Sequence, residues 1–506
     1  MDQISKSSIY GMLYGASFLF PILERFHFVS FLLRISIASA GIIGIASVLR
    51  DQYFKNFALK SSFVCGLCFG ACFIIVSLFG IYKAFYIVNQ KMFFVPCLLF
   101  LAFVWGGMFG WICIMQSVLL EKITNTKKKL STFADYALSN NIKKNNLERI
   151  PFFSLSFVIC WLLFELSRSF LLFKFPWNLT SHLFCFENTY PSLLFAQIVK
   201  PGGIYFLSVV WNLFVVSIFC EKSKSLKIIS TFIISTVIIY GLARLYSDHQ
   251  PIGNPIPILI VQPNISQEIR LKKEHTGPVL QQMIRLTLQG IQASSIKPKI
   301  IIWPETAVTQ MIREDDTSVI SQIQNQTKNC TYKYIIFGAD RVRNCEKHPV
   351  WHNSMIVLSK QKVEQIYDKN VLLPFGEYIP WRCLFPTFFN KILGSIDCTP
   401  GERVDNVILD KIPSFIPQIC SEFMHKKRII PAKAKWVLQI LNDGWFATSI
   451  LRQHLAVDRL RAIEAGLPLV RVANTGISCV MTRRGVITEQ INLNHQAVRC
   501  VSLRIA

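Results

Sequence analysis

At 506 residues the chain has room for two or three domains, yet only 17% of its residues are charged, where soluble proteins carry about a quarter. Hydrophobic residues make up 52% and phenylalanine alone counts 40, concentrated in the first half, which excludes a wholly soluble protein. The net charge of +24 suggests a nucleic-acid partner at first, but the basic residues are spread in a way that argues against one.

Seven stretches approach the ~20 residues needed to cross a bilayer. They are Ile9–Leu23, Val29–Leu49, Ser61–Tyr82, Met92–Leu120, Pro151–Phe173, Gly202–Cys220 and Ile228–Tyr246. The first is short, and the fourth is long enough to tilt. No cleavable signal peptide is evident, because a single lysine precedes the first stretch and further spans follow at once.

If these spans alternate, 14 of the 22 Lys and Arg before residue 247 fall on one side. They are Lys6, Arg50, Lys55, Lys60, Lys122, Lys127, Lys128, Lys129, Lys143, Lys144, Arg149, Lys222, Lys224 and Lys227. The other side holds six: Arg25, Lys83, Lys91, Lys174, Lys200 and Arg244. Loops rich in Lys and Arg stay in the cytoplasm. The N-terminus is then inside, and seven crossings put the second half outside. The 32 remaining basic residues suit a solvated surface against anionic lipid headgroups.

Eight of the 15 cysteines lie in or beside the membrane half, where cysteine acts as a small hydrophobe. Cys65 and Cys68 have a metal-like spacing but sit mid-span without polar partners, so no metal is expected there. Seven cysteines in the outer half leave at least one unpaired within the chain, a free thiol worth locating. In the fifth span, Glu165 and Arg168 lie on one helical face. Intramembrane charge is costly and is usually paired or functional. The following Phe175-Pro176-Trp177 suits a re-entrant or interfacial loop that admits lipid.

Beyond Ser247 the prolines at 251, 255 and 257 mark a linker, and the apolar runs become short and strand-like. Four stretches of this half bear on chemistry. Ile300-Ile301-Ile302-Trp303-Pro304-Glu305 places Glu305 at the C-terminal end of a strand, where α/β folds carry reactive groups. Tyr367-Asp368-Lys369 follows a second strand-like run and leads into Leu373-Pro374-Phe375-Gly376-Glu377-Tyr378. Ile416-Pro417-Gln418-Ile419-Cys420-Ser421-Glu422 sets a cysteine between apolar residues and a carboxylate. Leu441-Asn442-Asp443-Gly444-Trp445-Phe446 reads as strand then loop, with Trp445 and Phe446 able to roof a pocket.

Singly, such residues are ordinary surface charges and core fillers. Together they make an acyl-transfer set, since a thiol nucleophile needs a base or a lowered pKa. Glu305 can take the thiol proton and later return it. Lys369 can hold the thiolate and then the oxyanion, helped by the backbone N–H after Cys420.

In combination, Trp-Pro-Glu, Lys…Pro-Phe-Gly-Glu-Tyr and Ile-Cys-x-Glu…Asn-Asp-x-Trp-Phe resemble the nitrilase superfamily. The seven preceding spans narrow the resemblance to its apolipoprotein N-acyltransferase branch. Val261-Gln262-Pro263-Asn264-Ile265, Gln453-His454, Arg459-x-Arg461-Ala462-x-Glu464 and Arg471-Val472-Ala473-Asn474-Thr475-Gly476 agree with it. The resemblance implies Glu305 as base, Lys369 as intermediate stabiliser, Cys420 as nucleophile, and Glu377 and Glu422 as supporting acids, with no cofactor. It implies transfer of a phospholipid-derived acyl chain to the α-amine of a diacylglyceryl-cysteine apolipoprotein at a bacterial inner membrane. Two departures stand out: Ser421 replaces the family's aromatic residue, and the family ends with another membrane helix, whereas this chain stops at Ala506 after the strand-like Ala497–Ile505.

The expected architecture is a membrane domain of seven helices (residues 1–247) followed by a nitrilase-type α-β-β-α sandwich on the periplasmic side (residues 248–506). A membrane-tethered amidase with the same triad is one rival, although a soluble substrate needs no membrane domain of this size. A transporter or channel with an outer sensing domain is the other, but it predicts more intramembrane charge than Arg34, Glu165 and Arg168.

Overall fold

The computed structural model describes residues 2–19, 27–54, 59–137, 152–171, 174–186, 188–221, 223–247, 255–314, 316–344, 349–380, 382–384, 397–402, 406–425 and 434–505. Arg25, Lys55, Lys143, Lys144, Arg149, Lys222, Pro251, Cys345 and Ala506 lie outside the described residues, as do the expected span ends Leu23, Pro151 and Phe173. The chain divides into two compact units. One joins Met1–Tyr82 to Lys91–Ser247, the other Lys83–Gln90 to Asp248–Ala506.

Among the described residues, five helical stretches are long and apolar enough to cross a membrane. They are His27–Tyr53, Leu59–Ile87, Lys91–Ile123, Phe153–Phe170 and Lys224–Tyr246. The other two expected spans are shorter helices, Gln3–Ala16 and Ile204–Cys220. Side chains turned away from the unit's interior, such as Leu99, Phe103, Trp111, Phe232 and Ile239, are exposed and apolar, which suits lipid rather than water. Helices Leu59–Leu78 and Phe94–Ala137 meet through small residues. A Cβ on Gly66 would lie 2.8 Å from Gly110 Cα, and one on Gly70 would lie 2.8 Å from Gly106 Cα. Two glycines four residues apart on each helix thus allow backbone contact, the small-xxx-small device of membrane helices.

Between the expected fifth and sixth spans, residues Asn178–Cys185 are buried and include a 3₁₀ turn, Thr180–Phe184. Glu165 holds that turn, its Oε1 accepting from Thr180 N at 2.7 Å and from Trp161 Nε1 at 3.3 Å. Arg168 donates to the Trp177 carbonyl at 3.0 Å, and its guanidinium lies 4.5 Å from the Phe164 ring centroid. Glu165 and Arg168 therefore fasten residues 177–180 to the helix Phe152–Phe170 that bears them.

The second unit is built on two sheets. In the first, β1 (Ile256–Gln262), β2 (Ile300–Ile302), β4 (Tyr334–Asn344), β5 (Pro349–Leu358) and β6 (Val363–Asp368) lie side by side. On this sheet β13 (Ala497–Leu503) borders β1, and β3 (Val308–Arg313) pairs with β4. The second sheet runs β12 (Ile487–Ile491), β11 (Ser478–Met481), β10 (Leu469–Ala473), β9 (Trp436–Leu441), β8 (Ile412–Ile419) and β7 (Val407–Leu409). At the centre of each sheet the strands are parallel: β1–β2–β4 and β8–β9–β10.

The strand sequences explain the layering. Ile258 and Ile260 of β1 join Ile300, Ile302, Phe415, Trp436 and Ile440 in a core between the sheets. Alternate residues Leu259 and Val261 face the other way, onto Leu280, Met283 and Ile284 of helix Thr276–Ala293. Across the second sheet, Val437 and Leu469 pack with Leu455 and Ala462 of helix Thr448–Ala465. A strand covered on both faces needs a near-continuous apolar run, which Ile-Pro-Ile-Leu-Ile-Val supplies and which Trp-Val-Leu-Gln-Ile-Leu supplies apart from the buried Gln439. The unit is an α-β-β-α sandwich.

Candidate active site

The reactive side chains stand just past strand ends. Beyond β2, Trp303 N still donates to Ile336 O at 2.9 Å, and its indole is fixed by a 2.9 Å bond to Thr287 Oγ1. The chain then turns at Pro304, whose carbonyl accepts from Gly338 N at 3.1 Å. Gly338 is required at this crossing, since a Cβ there would lie 2.5 Å from Glu305 Cα. Glu305 is consequently buried with both carboxylate oxygens occupied. Oε1 accepts from Asn353 Nδ2 at 2.7 Å and Oε2 from the Asn442 backbone N–H at 2.6 Å.

Lys369 directly follows β6, its backbone N–H bonded to the Asn353 carbonyl at 2.8 Å. Its buried ammonium lies 2.7 Å from Glu377 Oε1 and 4.0 Å from Glu305 Oε1. Glu377 is held by the loop before it, with Leu373 N donating to Oε2 at 2.7 Å, and Asn353 Nδ2 reaches its Oε1 at 3.1 Å.

Cys420 directly follows β8 and is half-buried, with φ of +51°. Left-handed backbone is unfavourable for a residue with a Cβ and persists only where its surroundings impose it. Glu422 is one such constraint. Its buried carboxylate accepts from Ile419 N at 2.9 Å, Asn370 N at 2.8 Å, Val371 N at 3.0 Å and the Tyr367 hydroxyl at 2.8 Å. Glu422 thereby joins the turn bearing Cys420 to the strand end bearing Lys369. Trp445 and Phe446 are half-exposed on the turn after β9, whose first residue, Asn442, holds Glu305.

The charges around these groups set their proton affinities. Burial raises the Glu305 carboxyl above the usual carboxylate range; Lys369 opposes this and Glu377 adds to it. Burial also raises the Cys420 thiol well above its ordinary value, aided by Glu305 and countered by Lys369. For Lys369, burial works against the charged form, but Glu377, Cys420 and Glu305 outweigh it and the ammonium is held charged. The arrangement sets a thiol of raised proton affinity near a carboxyl of raised proton affinity and a fixed cation. A carboxylate in such a position can accept a thiol proton, and a fixed cation can face negative charge that develops nearby.

Asn353 and the Asn442 amide are parts of the site that the sequence reading did not single out. The polar run His352-Asn353-Ser354 inside the otherwise apolar β5 was the available signal for the first. Arg270 is another: it is buried and donates to the Glu305 carbonyl at 3.3 Å and to the Thr306 carbonyl.

Comparison with known proteins adds to this geometry. Residues 11–217 match the family described as "Apolipoprotein N-acyltransferase N-terminal domain", and residues 260–504 match "Carbon-nitrogen hydrolase". An apolipoprotein N-acyltransferase of Rickettsia prowazekii is 31% identical over 365 residues, which cover 69% of each chain. That of Rickettsia typhi is 30% identical, the match covering 74% of this chain and 73% of that one. That of Rhodopseudomonas palustris is 29% identical over 73% of this chain and 70% of its own.

Proposed function

Since the chain belongs to the apolipoprotein N-acyltransferase family and is a membrane-bound acyltransferase, we propose that it moves a fatty acyl chain from a phospholipid to a lipoprotein through a thioester on Cys420. Glu305 is the general base and acid, and Lys369 is the stabilising cation. The acceptor is the α-amine of a diacylglyceryl-cysteine at the lipoprotein N-terminus, and the product amide completes lipoprotein maturation.

The grouping of Lys369, Glu305 and Glu377 beside Cys420 carries this reading, the ammonium lying 2.7 Å from one carboxylate and 4.0 Å from the other. In the first half-reaction Glu305 takes the Cys420 proton while the sulfur attacks the donor ester carbonyl. The oxyanion forms against the Lys369 ammonium and the backbone N–H of Ser421. Collapse breaks the ester C–O bond, and Glu305 passes its proton to the departing lysophospholipid oxygen. In the second, Glu305 takes a proton from the attacking amine, the same two donors hold the new oxyanion, and collapse leaves an amide and a thiol reprotonated by Glu305. A thioester suits this order because it is more reactive toward amines than the oxygen ester it came from.

The placement follows from charge. The 14-to-6 distribution of Lys and Arg around seven crossings keeps the N-terminus cytoplasmic and the catalytic domain on the periplasmic side of the inner membrane. Residues 1–247 are then the membrane domain and 248–506 the catalytic domain. The test is the N-terminal mass of a lipoprotein from cells with and without this protein. The proposal expects a third acyl chain only when the protein is present; an unchanged N-terminus contradicts it.

A further inference from the structure

The Gln453-His454 and Arg471 stretches take no part in the chemistry above, yet the structure gathers them behind the nucleophile. Asp458, on helix Thr448–Ala465, and Arg471, on β10, are both fully buried. Arg471 Nε donates to Asp458 Oδ2 at 2.9 Å. The other oxygen, Oδ1, accepts from Gln439 Nε2 on β9 at 3.0 Å. The same Gln439 nitrogen donates to the Cys420 carbonyl at 2.8 Å. Both of its neighbours are acceptors, so the amide is held with its NH₂ toward them and both of its hydrogens used.

The Cys420 carbonyl and the Ser421 N–H belong to one peptide plane. A trans peptide directs the two in opposite senses, so whatever grips the carbonyl aims the N–H. Cys420 lies in the left-handed region, where an L-residue needs such a grip to remain. A donor on the carbonyl also polarises the peptide and strengthens its N–H as a donor.

We propose that Gln439, backed by Asp458 and Arg471, is a positioning residue that aims the Ser421 N–H at the oxyanion. This rests on the reading of Cys420 as nucleophile. Gln439 touches neither substrate nor the reacting atoms. Its effect appears wherever a tetrahedral oxyanion forms, in acylation and in transfer alike, and is absent from reactions of the thiol that form none.

The experiment compares the full-length enzyme with Gln439→Met in phospholipid vesicles, using a lipidated N-terminal cysteine peptide as acceptor. Three rates are read: acyl-enzyme formation, transfer to the peptide, and alkylation of Cys420 by iodoacetamide, a displacement with no oxyanion. Acylation and transfer are expected to fall together by about 10–10²-fold, less than or up to the loss of a whole oxyanion donor. KM values and the alkylation rate stay at wild-type levels. Acyl transfer at the wild-type rate overturns the proposal, and so does alkylation that falls in parallel, which marks a merely structural role.

If Gln439→Met does not fold, Asp458→Asn serves. Arg471 keeps the amide oxygen, and the new nitrogen then presents Gln439 with a donor where it had an acceptor. The same split between acyl transfer and alkylation is expected, and its absence overturns the proposal. A wild-type enzyme that forms no adduct on Cys420 overturns the nucleophile assignment as well. A wild-type adduct with an unaffected variant removes this inference alone.

Discussion

The side-chain amide of Asn353 donates to Glu305 Oε1 at 2.7 Å, the only side-chain hydrogen bond given to that oxygen among the described residues. A hydrogen bond to a carboxylate favours its charged form, and burial has already moved Glu305 the other way. Asn353→Ala should therefore raise the Glu305 pKa further. As pH falls, the base is then lost sooner, so the acid limb of kcat/KM moves to higher pH, by about one unit for a charge-assisted bond. A limb that stays in place, or moves to lower pH, contradicts this role for Asn353.

Lys369 is buried beside two carboxylates, where a charge is kept only if its partners outweigh burial. Lys369→Ala should slow acylation by about 10²–10³-fold, the scale for losing one oxyanion donor. Lys369→Arg should restore little, because a planar guanidinium does not replace a compact ammonium. Single-turnover rates decide it. Near-normal rates in either variant contradict the assignment.

Glu422 acts through structure. Its carboxylate accepts from Ile419 N, Asn370 N and Val371 N and from the Tyr367 hydroxyl. Glu422→Gln turns an amide nitrogen toward those donors and should cost roughly 1–3 kcal/mol, read as a lower melting temperature in detergent. Tyr367→Phe removes one of the bonds and should cost about 1 kcal/mol. A Glu422→Gln variant that melts with the wild type would show that this contact does not hold the turn.

The sequence reading singled out those members of the candidate site that sit beside a local signal. Glu305 follows an isoleucine run broken by proline, Lys369 follows a strand-like run, and Cys420 stands between apolar residues and an acid. Asn353 and Gln439 escaped it because their roles depend on which strands lie side by side. Asn353 reaches Glu305 across the first sheet, and Gln439 reaches Cys420 from the strand next to β8. Period and composition fix a strand's faces, not its neighbours. In the membrane unit, composition located the long apolar helices, but the backbone contacts at Gly66, Gly70, Gly106 and Gly110 emerge only once two helices are paired.

Topology has its own test. A reporter joined after Ala506 should lie outside the cytoplasm, and one inserted between Lys122 and Arg149 should lie inside, following the distribution of basic residues. A cytoplasmic signal from the C-terminal reporter would require an even number of crossings and separate the site from its lipoprotein substrate.

The most direct test of the account is to withhold the acceptor. An enzyme with a covalent intermediate accumulates it when the second substrate is absent. Incubation with phospholipid alone should add one acyl group to Cys420, labile to hydroxylamine at neutral pH. Cys420→Ala should abolish it, while changes at Cys330, Cys345, Cys383, Cys398, Cys479 or Cys500 should leave it intact. An added peptide with a lipidated N-terminal cysteine should then discharge the adduct into an amide. An adduct on another cysteine, turnover in Cys420→Ala, or discharge to free fatty acid with no acceptor present would contradict the account.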